Sequence, residues 1–158
     1  MSNLDEFRRT KINTWPIALL RVYTGVFFLY FGVRKVLHDN FAEGLTGFVS
    51  SNLENSVGFF RPVLESVVLP NASVFAFFVA WGEVLLGVAL ILGLATRYAS
   101  AAGAVMVGCF WLTKGQFILD AQNHDVIWFF ILVVLAGLHA GRTMGLDEKL
   151  ASKYKFLA

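Results

Sequence analysis

The chain alternates long apolar runs with shorter polar ones. Trp15–Val33 carries one charged residue, Arg21, and Asn71–Ala95 carries one, Glu83. Shorter apolar runs cover about Ala99–Thr113 and Val126–Ala140. A helix of about 20 apolar residues crosses the ~30 Å hydrocarbon core of a bilayer. In hydrocarbon every backbone N–H and C=O must be bonded within the segment, which leaves a helix as the form for a single span. The pattern therefore predicts an all-α fold, an integral membrane bundle of four transmembrane helices at about residues 15–34, 71–95, 99–113 and 126–140. Residues 1–158 read as a single membrane domain.

The polar stretches have patterns of their own. Residues 36–70 are too polar to span, yet Phe41, Leu45, Phe48, Val49 and Leu53 recur at helical spacing. So do Phe60, Val63, Leu64, Val67 and Val68, with Pro62 near the start and Pro70 at the end. They predict two short amphipathic surface helices in the first external loop. The tail, residues 142–158, sets Leu146, Leu150 and Tyr154 on one face and predicts a short helix at the membrane surface. Pro16 suits a first helical turn, where its missing N–H costs nothing, and Trp15 suits the interfacial aromatic belt. Arg34 and Lys35 follow the first run, where a cleaved secretory signal would have small residues, so this run is expected to stay as a span.

Composition agrees with this class: 57% of residues are hydrophobic and 15% charged, and the mean hydropathy is +0.65. A net charge of +2 gives no electrostatic case for nucleic acid. Cys109 is the lone cysteine, so no intrachain disulfide forms, and no Cys/His spacing suggests a metal. With four spans, Arg8, Arg9, Lys11, Arg97, Arg142, Lys149, Lys153 and Lys155 share one side, and Arg34, Lys35, Arg61 and Lys114 the other. The richer side is expected to be cytoplasmic, which puts both termini inside and the long loop outside. The expected location is a bacterial or archaeal cytoplasmic membrane, with the lipid bilayer as the first partner.

Glu83 is the natural centre of any chemistry, since an ionisable group mid-span costs about 2.5–3.5 kcal/mol on insertion scales and usually faces protein, water or a ligand. Arg21, Gly25, Phe28, Gly32 and Lys35 follow one another at three- and four-residue steps and share a helical face. The glycines let another helix approach. Counting ~1.5 Å per residue from the inner ends, Arg21 lies about 9 Å from Glu83 in depth and Lys35 about 12 Å. The backward tilt of Cβ favours Lys35, and distance favours Arg21; both stay open as partners. Glu83 is thus either half of an ion pair locking two helices or a carboxylate that exchanges protons or orients a ligand. Glu83 and Arg21 are the catalytic candidates; Glu83, Lys35 and His139 are candidate quinone contacts, His139 having a backbone carbonyl as its other expected partner. Cys109 reads as a small core residue at about the depth of Glu83. His38, Asp39 and Glu43 after the first span, and Asp120, Asn123, His124 and Asp125 before the fourth, form a polar outer rim, with Asn123 a good helix cap.

The face Arg21…Gly25…Gly32…Lys35, then Gly82-Glu83…Gly87, Gly93-Leu94-Ala95-Thr96-Arg97 and Gly141-Arg142…Leu146-Asp147, resembles the DoxX/DoxD family of small membrane proteins over nearly the whole chain. The family pattern ends more like Gly-Arg-x-x-Leu-Asp, whereas three residues, Thr143, Met144 and Gly145, separate Arg142 from Leu146 here. The resemblance implies four spans and the family-like polar residues Arg21, Lys35, Glu83 and Arg142. It also implies a membrane-associated redox complex. DoxD proteins are associated with thiosulfate:quinone oxidoreductase, and DoxX proteins with complexes that handle thiol stress. No haem, flavin or iron–sulfur motif is visible, so quinone, a bound cofactor or other protein subunits must carry the electrons. The alternative is a non-catalytic structural or assembly subunit of a larger membrane complex, and a homo-oligomer stays open. A small transporter fits least, because no internal repeat is visible.

Overall fold

A computed structural model describes residues 14–150, and all regular structure among them is helical. The basic residues Arg8, Arg9 and Lys11 and the tail positions Lys153, Tyr154 and Lys155 lie outside the described residues. Helix α1 spans Trp15–Val36, with Pro16 in its first turn, and continues through Arg34 and Lys35. Helix α2 spans Phe41–Asn52. An irregular helical stretch, Arg61–Asn71, then runs into α3, Ala72–Leu92. Helix α4 covers Thr96–Lys114 and α5 covers His124–Gly137. A tight turn, Ala140–Arg142, and a short helix α6, Leu146–Leu150, close the described chain.

Two helical runs are long and apolar enough to cross a membrane, Trp15–Val36 and Arg61–Leu92. The second corrects the expected break at Pro70. Leu64–Val68 forms a wide π turn and Leu69–Asn71 a tight one, so the chain passes Pro70 without stopping. A proline lacks the N–H that would bond four residues back, and such a change of turn size absorbs the lost bond. Helix α5 is apolar but shorter, because the chain leaves the helix at Leu138 and His139 turns left-handed.

The α1–α3 and α4–α5 helix pairs pack closely, and α3 and α4 meet through a narrower contact. The α1–α3 seam is built on glycine. A Cβ on Gly25 would lie 2.9 Å from the Gly87 carbonyl oxygen, and one on Gly32 would lie 2.7 Å from the Val84 nitrogen. Such spacing lets backbones touch and gains dispersion along the whole seam. The expected Gly137–Gly141 pair makes no comparable seam, since nothing lies within 4 Å of a Cβ at Gly137. The core joins Phe28 of α1, Leu86 and Leu90 of α3, Ala104 and Val107 of α4, and Leu132 and Leu135 of α5. A second cluster, Leu45, Val49, Leu64 and Ala76, seats α2 and the Arg61–Asn71 stretch over the far end of α3. Val63 and Val67, expected on the apolar face, are exposed. Large apolar side chains such as Leu19, Tyr30, Phe78, Leu85, Phe130 and Val134 point outward around the bundle, as they do when lipid is the solvent.

Candidate functional site

Glu83 is 4% exposed and lies on the side of α3 that faces α1. Its partner is Lys35: Nζ donates to Oε1 at 2.5 Å. The depth count from the helix ends misplaced this pair. Gly32 meets Val84 and Gly25 meets Ile91, so α1 is slid along α3 relative to a shared inner end. At ~1.5 Å per residue the slide brings Lys35 within about one turn of Glu83. The other carboxylate oxygen, Oε2, is enclosed and accepts no hydrogen bond from the described residues. Lys35 Nζ sits 5.6 Å from the Phe41 ring centre and 5.7 Å from that of Phe110. Aromatic faces attract a cation and keep water off it. The pair is thus walled by rings from α2 and α4, and one strong acceptor is left unused.

Arg21 belongs to a different place. It is 2% exposed at the α3–α4 turn end of the bundle. Nη1 donates to the Ala140 carbonyl at 3.0 Å and Nη2 to the Met144 carbonyl at 3.4 Å. Beside it the buried Asp147 carboxylate accepts from the backbone N–H of Ala95 at 2.7 Å and of Thr96 at 3.0 Å. This caps the N-terminus of α4, where orphan donors and the helix dipole favour a negative charge. Gly93 makes the turn possible. At φ 66° it ends α3 in a Schellman motif, with Leu94 N–H bonded to Ala89 O and its own N–H to Leu90 O. A Cβ on Gly93, Gly141 or Gly145 would collide with Arg21 or Asp147. The segments around Gly93, Arg21 and Gly141–Asp147 therefore meet in one polar knot. Arg142 is exposed beside it.

A groove of about 820 Å³ runs between α3 and α4. It extends from Leu94 and Ala95 at the turn to Phe48 and Leu64 at the other end. Leu85, Ala89, Ala102 and Met106 are typical of its walls, and Cys109 and Thr113 are the polar side chains on them. Thr113 Oγ1 is already bonded to the Cys109 carbonyl. Cys109 is exposed rather than part of the core, because this side of α4 faces the groove and not another helix. Phe110 lines the groove on one side and flanks Lys35 on the other. Gly82, next to Glu83, also lines it.

The remaining sequence candidates are scattered. His139 sits at the α3–α4 turn end, with Nε2 3.4 Å from Arg97 Nη1. Neither it nor Arg21 contacts Glu83 among the described hydrogen bonds and ion pairs. Asn123 caps α5 by accepting from Val126 N–H, and Asp125 pairs with Lys114 at 2.7 Å. His38 and His124 are exposed, and no cluster of three or more metal-binding side chains occurs among the described residues. Sequence reasoning missed the capping role of Asp147, which lies 51 residues from the Thr96 N–H it accepts from. No local cap signal spans that distance.

The model of one protein family, DoxX, matches residues 17–115, from the first turn of α1 to the end of α4. No curated protein and no solved structure matches the chain.

Proposed function

The chain belongs to the DoxX family, and on that premise we propose that this membrane protein is the quinone-facing subunit of a membrane-associated redox complex. The observation that carries the reading is the Lys35–Glu83 pair, between the last turn of α1 and the middle of α3, with an enclosed Oε2 that has no hydrogen-bond partner among the described residues. A quinone becomes a quinol by taking up electrons and protons. Glu83 is the proton-exchanging group in this reading, Lys35 holds the carboxylate in place, and the electrons come from a partner protein. Arg21 and His139, away from the pair, serve the turn end instead. The four spans are α1, the Arg61–Leu92 run, α4 and α5, with both termini cytoplasmic and α2 lying over the outer surface.

The test is a pair of measurements on Glu83→Gln in the native complex. Gln keeps the shape but releases no proton. Quinone-linked turnover should fall at least about tenfold while the complex still assembles. Wild-type turnover would remove Glu83 from the chemistry. Topology is tested by reporter fusions after Tyr98, within residues 50–56, and after Ala158. The first and last should report cytoplasm and the middle one the outside, and an outside signal after Ala158 would overturn the four-span arrangement.

One observation favours a second reading, a non-catalytic assembly subunit. Glu83 packs against Gly32 in the close α1–α3 seam, where an ion pair would serve as a helix lock. In that case Glu83→Gln loses about 3–5 kcal/mol of stability, and any turnover lost tracks the loss of folded protein.

A further inference from the structure

We propose that Glu83 exchanges its proton with water at the α2 end of the bundle only, and that Lys35 is the arm that carries it. The inference rests on the proton-exchanging role given to Glu83 above and adds the route and its direction. His38 follows Lys35 by three residues, and His38, Asp39 and Asn40 are all exposed. At ~1.5 Å per residue the pair is about one helical turn from this polar loop. Towards the α3–α4 turn, Gly93 lies ten residues beyond Glu83, a rise of about 15 Å. That longer way is closed. Leu86, Gly87 and Leu90 stand on the same side of α3 as Glu83, and all three are buried. Phe28 of α1 joins Leu86 and Leu90 in the core. An unpaired charge crossing such packing would have no partner. Beyond it lies the buried guanidinium of Arg21, a fixed positive charge that repels a proton.

The short way is a side chain. Lys35 stands in the last turn of α1, and its Nζ donates to Glu83 Oε1 while 26% of the side chain is exposed. A flexible four-carbon stem lets the ammonium leave the Phe41 and Phe110 rings for water with the backbone in place. Lysine also gives up a proton in apolar surroundings, which arginine does not. The Lys35 ammonium passes one proton along the Nζ–Oε1 hydrogen bond, leaving a neutral amine and a neutral carboxylic acid. The amine swings out and takes a proton from hydronium, which becomes water and restores the ammonium. The reverse sequence returns the proton to water. The other charged groups around the pair are engaged or exposed. Glu43 of α2 and Asp39 are exposed, Arg34 bonds the Tyr30 hydroxyl, and Lys114 of α4 pairs with Asp125.

Direction is read in native membrane vesicles, right-side-out and inverted, with the two compartments buffered separately. A lipid-soluble carbodiimide adds to a carboxyl group in its protonated form, and mass spectrometry of the full chain locates the adduct on Glu83. Lowering the pH by about one unit on the α2 side should raise this adduct severalfold, and the same change on the turn side should leave it within about twofold. An adduct that follows the turn side, follows both sides or never forms overturns the inference. The arm is read on the purified full chain in phosphatidylcholine nanodiscs, from the infrared band of the protonated Glu83 carboxyl after an acid jump. Glu83→Gln identifies the band by removing it. Lys35→Arg keeps a cation for the ion pair but passes no proton, so the band should rise at least about tenfold more slowly. A wild-type rate in folded Lys35→Arg overturns the relay. If thermal unfolding shows that this variant has lost its fold, the vesicle result on the wild-type protein decides. Neither measurement uses quinone or an electron donor. One-sided exchange together with wild-type turnover of Glu83→Gln therefore supports this inference and removes the quinone reading alone.

Discussion

The protein buries charge in two places, and the two are built on opposite plans. At the α3–α4 turn end, Arg21 through its two Nη atoms and Asp147 through both oxygens hold backbone groups, and Arg21 Nε has no partner among the described residues. Arg21 holds the Ala140 and Met144 carbonyls, and Asp147 holds the Ala95 and Thr96 N–H groups. Three separate stretches of chain are tied there, and glycines clear the space. Where the last turn of α1 meets the middle of α3, Lys35 and Glu83 hold each other by one bond, and Glu83 Oε2 has no partner among the described residues. Charges committed to backbone donors and acceptors fix a fold, because moving them unmakes turns and caps. A charge held by one flexible side chain can change partner without moving the backbone. That difference makes the second site the better place for chemistry and the first the better place for architecture.

The strongest way to sharpen the comparison is to disturb the seam beside the Lys35–Glu83 pair. Gly32→Leu puts a side chain into backbone 2.7 Å away and should cost more than about 4 kcal/mol. Gly25→Leu should behave likewise, whereas Leu29→Ala, at a half-buried position, should cost about 1–3 kcal/mol. Yield and thermal unfolding in detergent read all three. Equal stability would show that this face of α1 meets lipid and not α3.

The two plans are compared directly by removing one cation from each. Arg21→Met leaves a buried carboxylate without its nearby cation and takes a donor from the Met144 carbonyl and one of two from the Ala140 carbonyl, which keeps the Thr143 N–H, so it should cost about 3–5 kcal/mol. Lys35→Met removes a side chain that is itself 26% exposed and breaks its one bond to the buried Glu83, which can take up a proton in place of the lost cation, so it should cost less. Chemical unfolding of the two variants orders them; the reverse order breaks the distinction drawn here. The smallest effect is expected far from both sites. Asn123→Ala removes the α5 cap and should cost about 1 kcal/mol, with quinone-linked turnover of the folded protein unchanged.

Some of this was legible in the residues because its cause is local. The apolar runs placed α1 and α3, and Pro16 and Asn123 marked helix starts. Gly25 and Gly32 marked the seam, since a helix face that combines glycine with a charge needs a close neighbour. Glu83 was identifiable because a lone carboxylate in a long apolar run must find a partner. The choice between Arg21 and Lys35 was not legible. It depends on how far α1 slides along α3, and that offset is fixed by which glycine meets which backbone atom. Asp147 was missed and Cys109 misjudged for related reasons. A cap supplied from 51 residues away has no local pattern, and whether a cysteine is core or groove wall depends on which side of its helix the next one packs. Sequence determined what each helix must bury, because periodicity and charge act within one segment. Tertiary structure decided which buried charge meets which and where the groove opens, because both follow from the offset and spacing of helices that are distant in the chain.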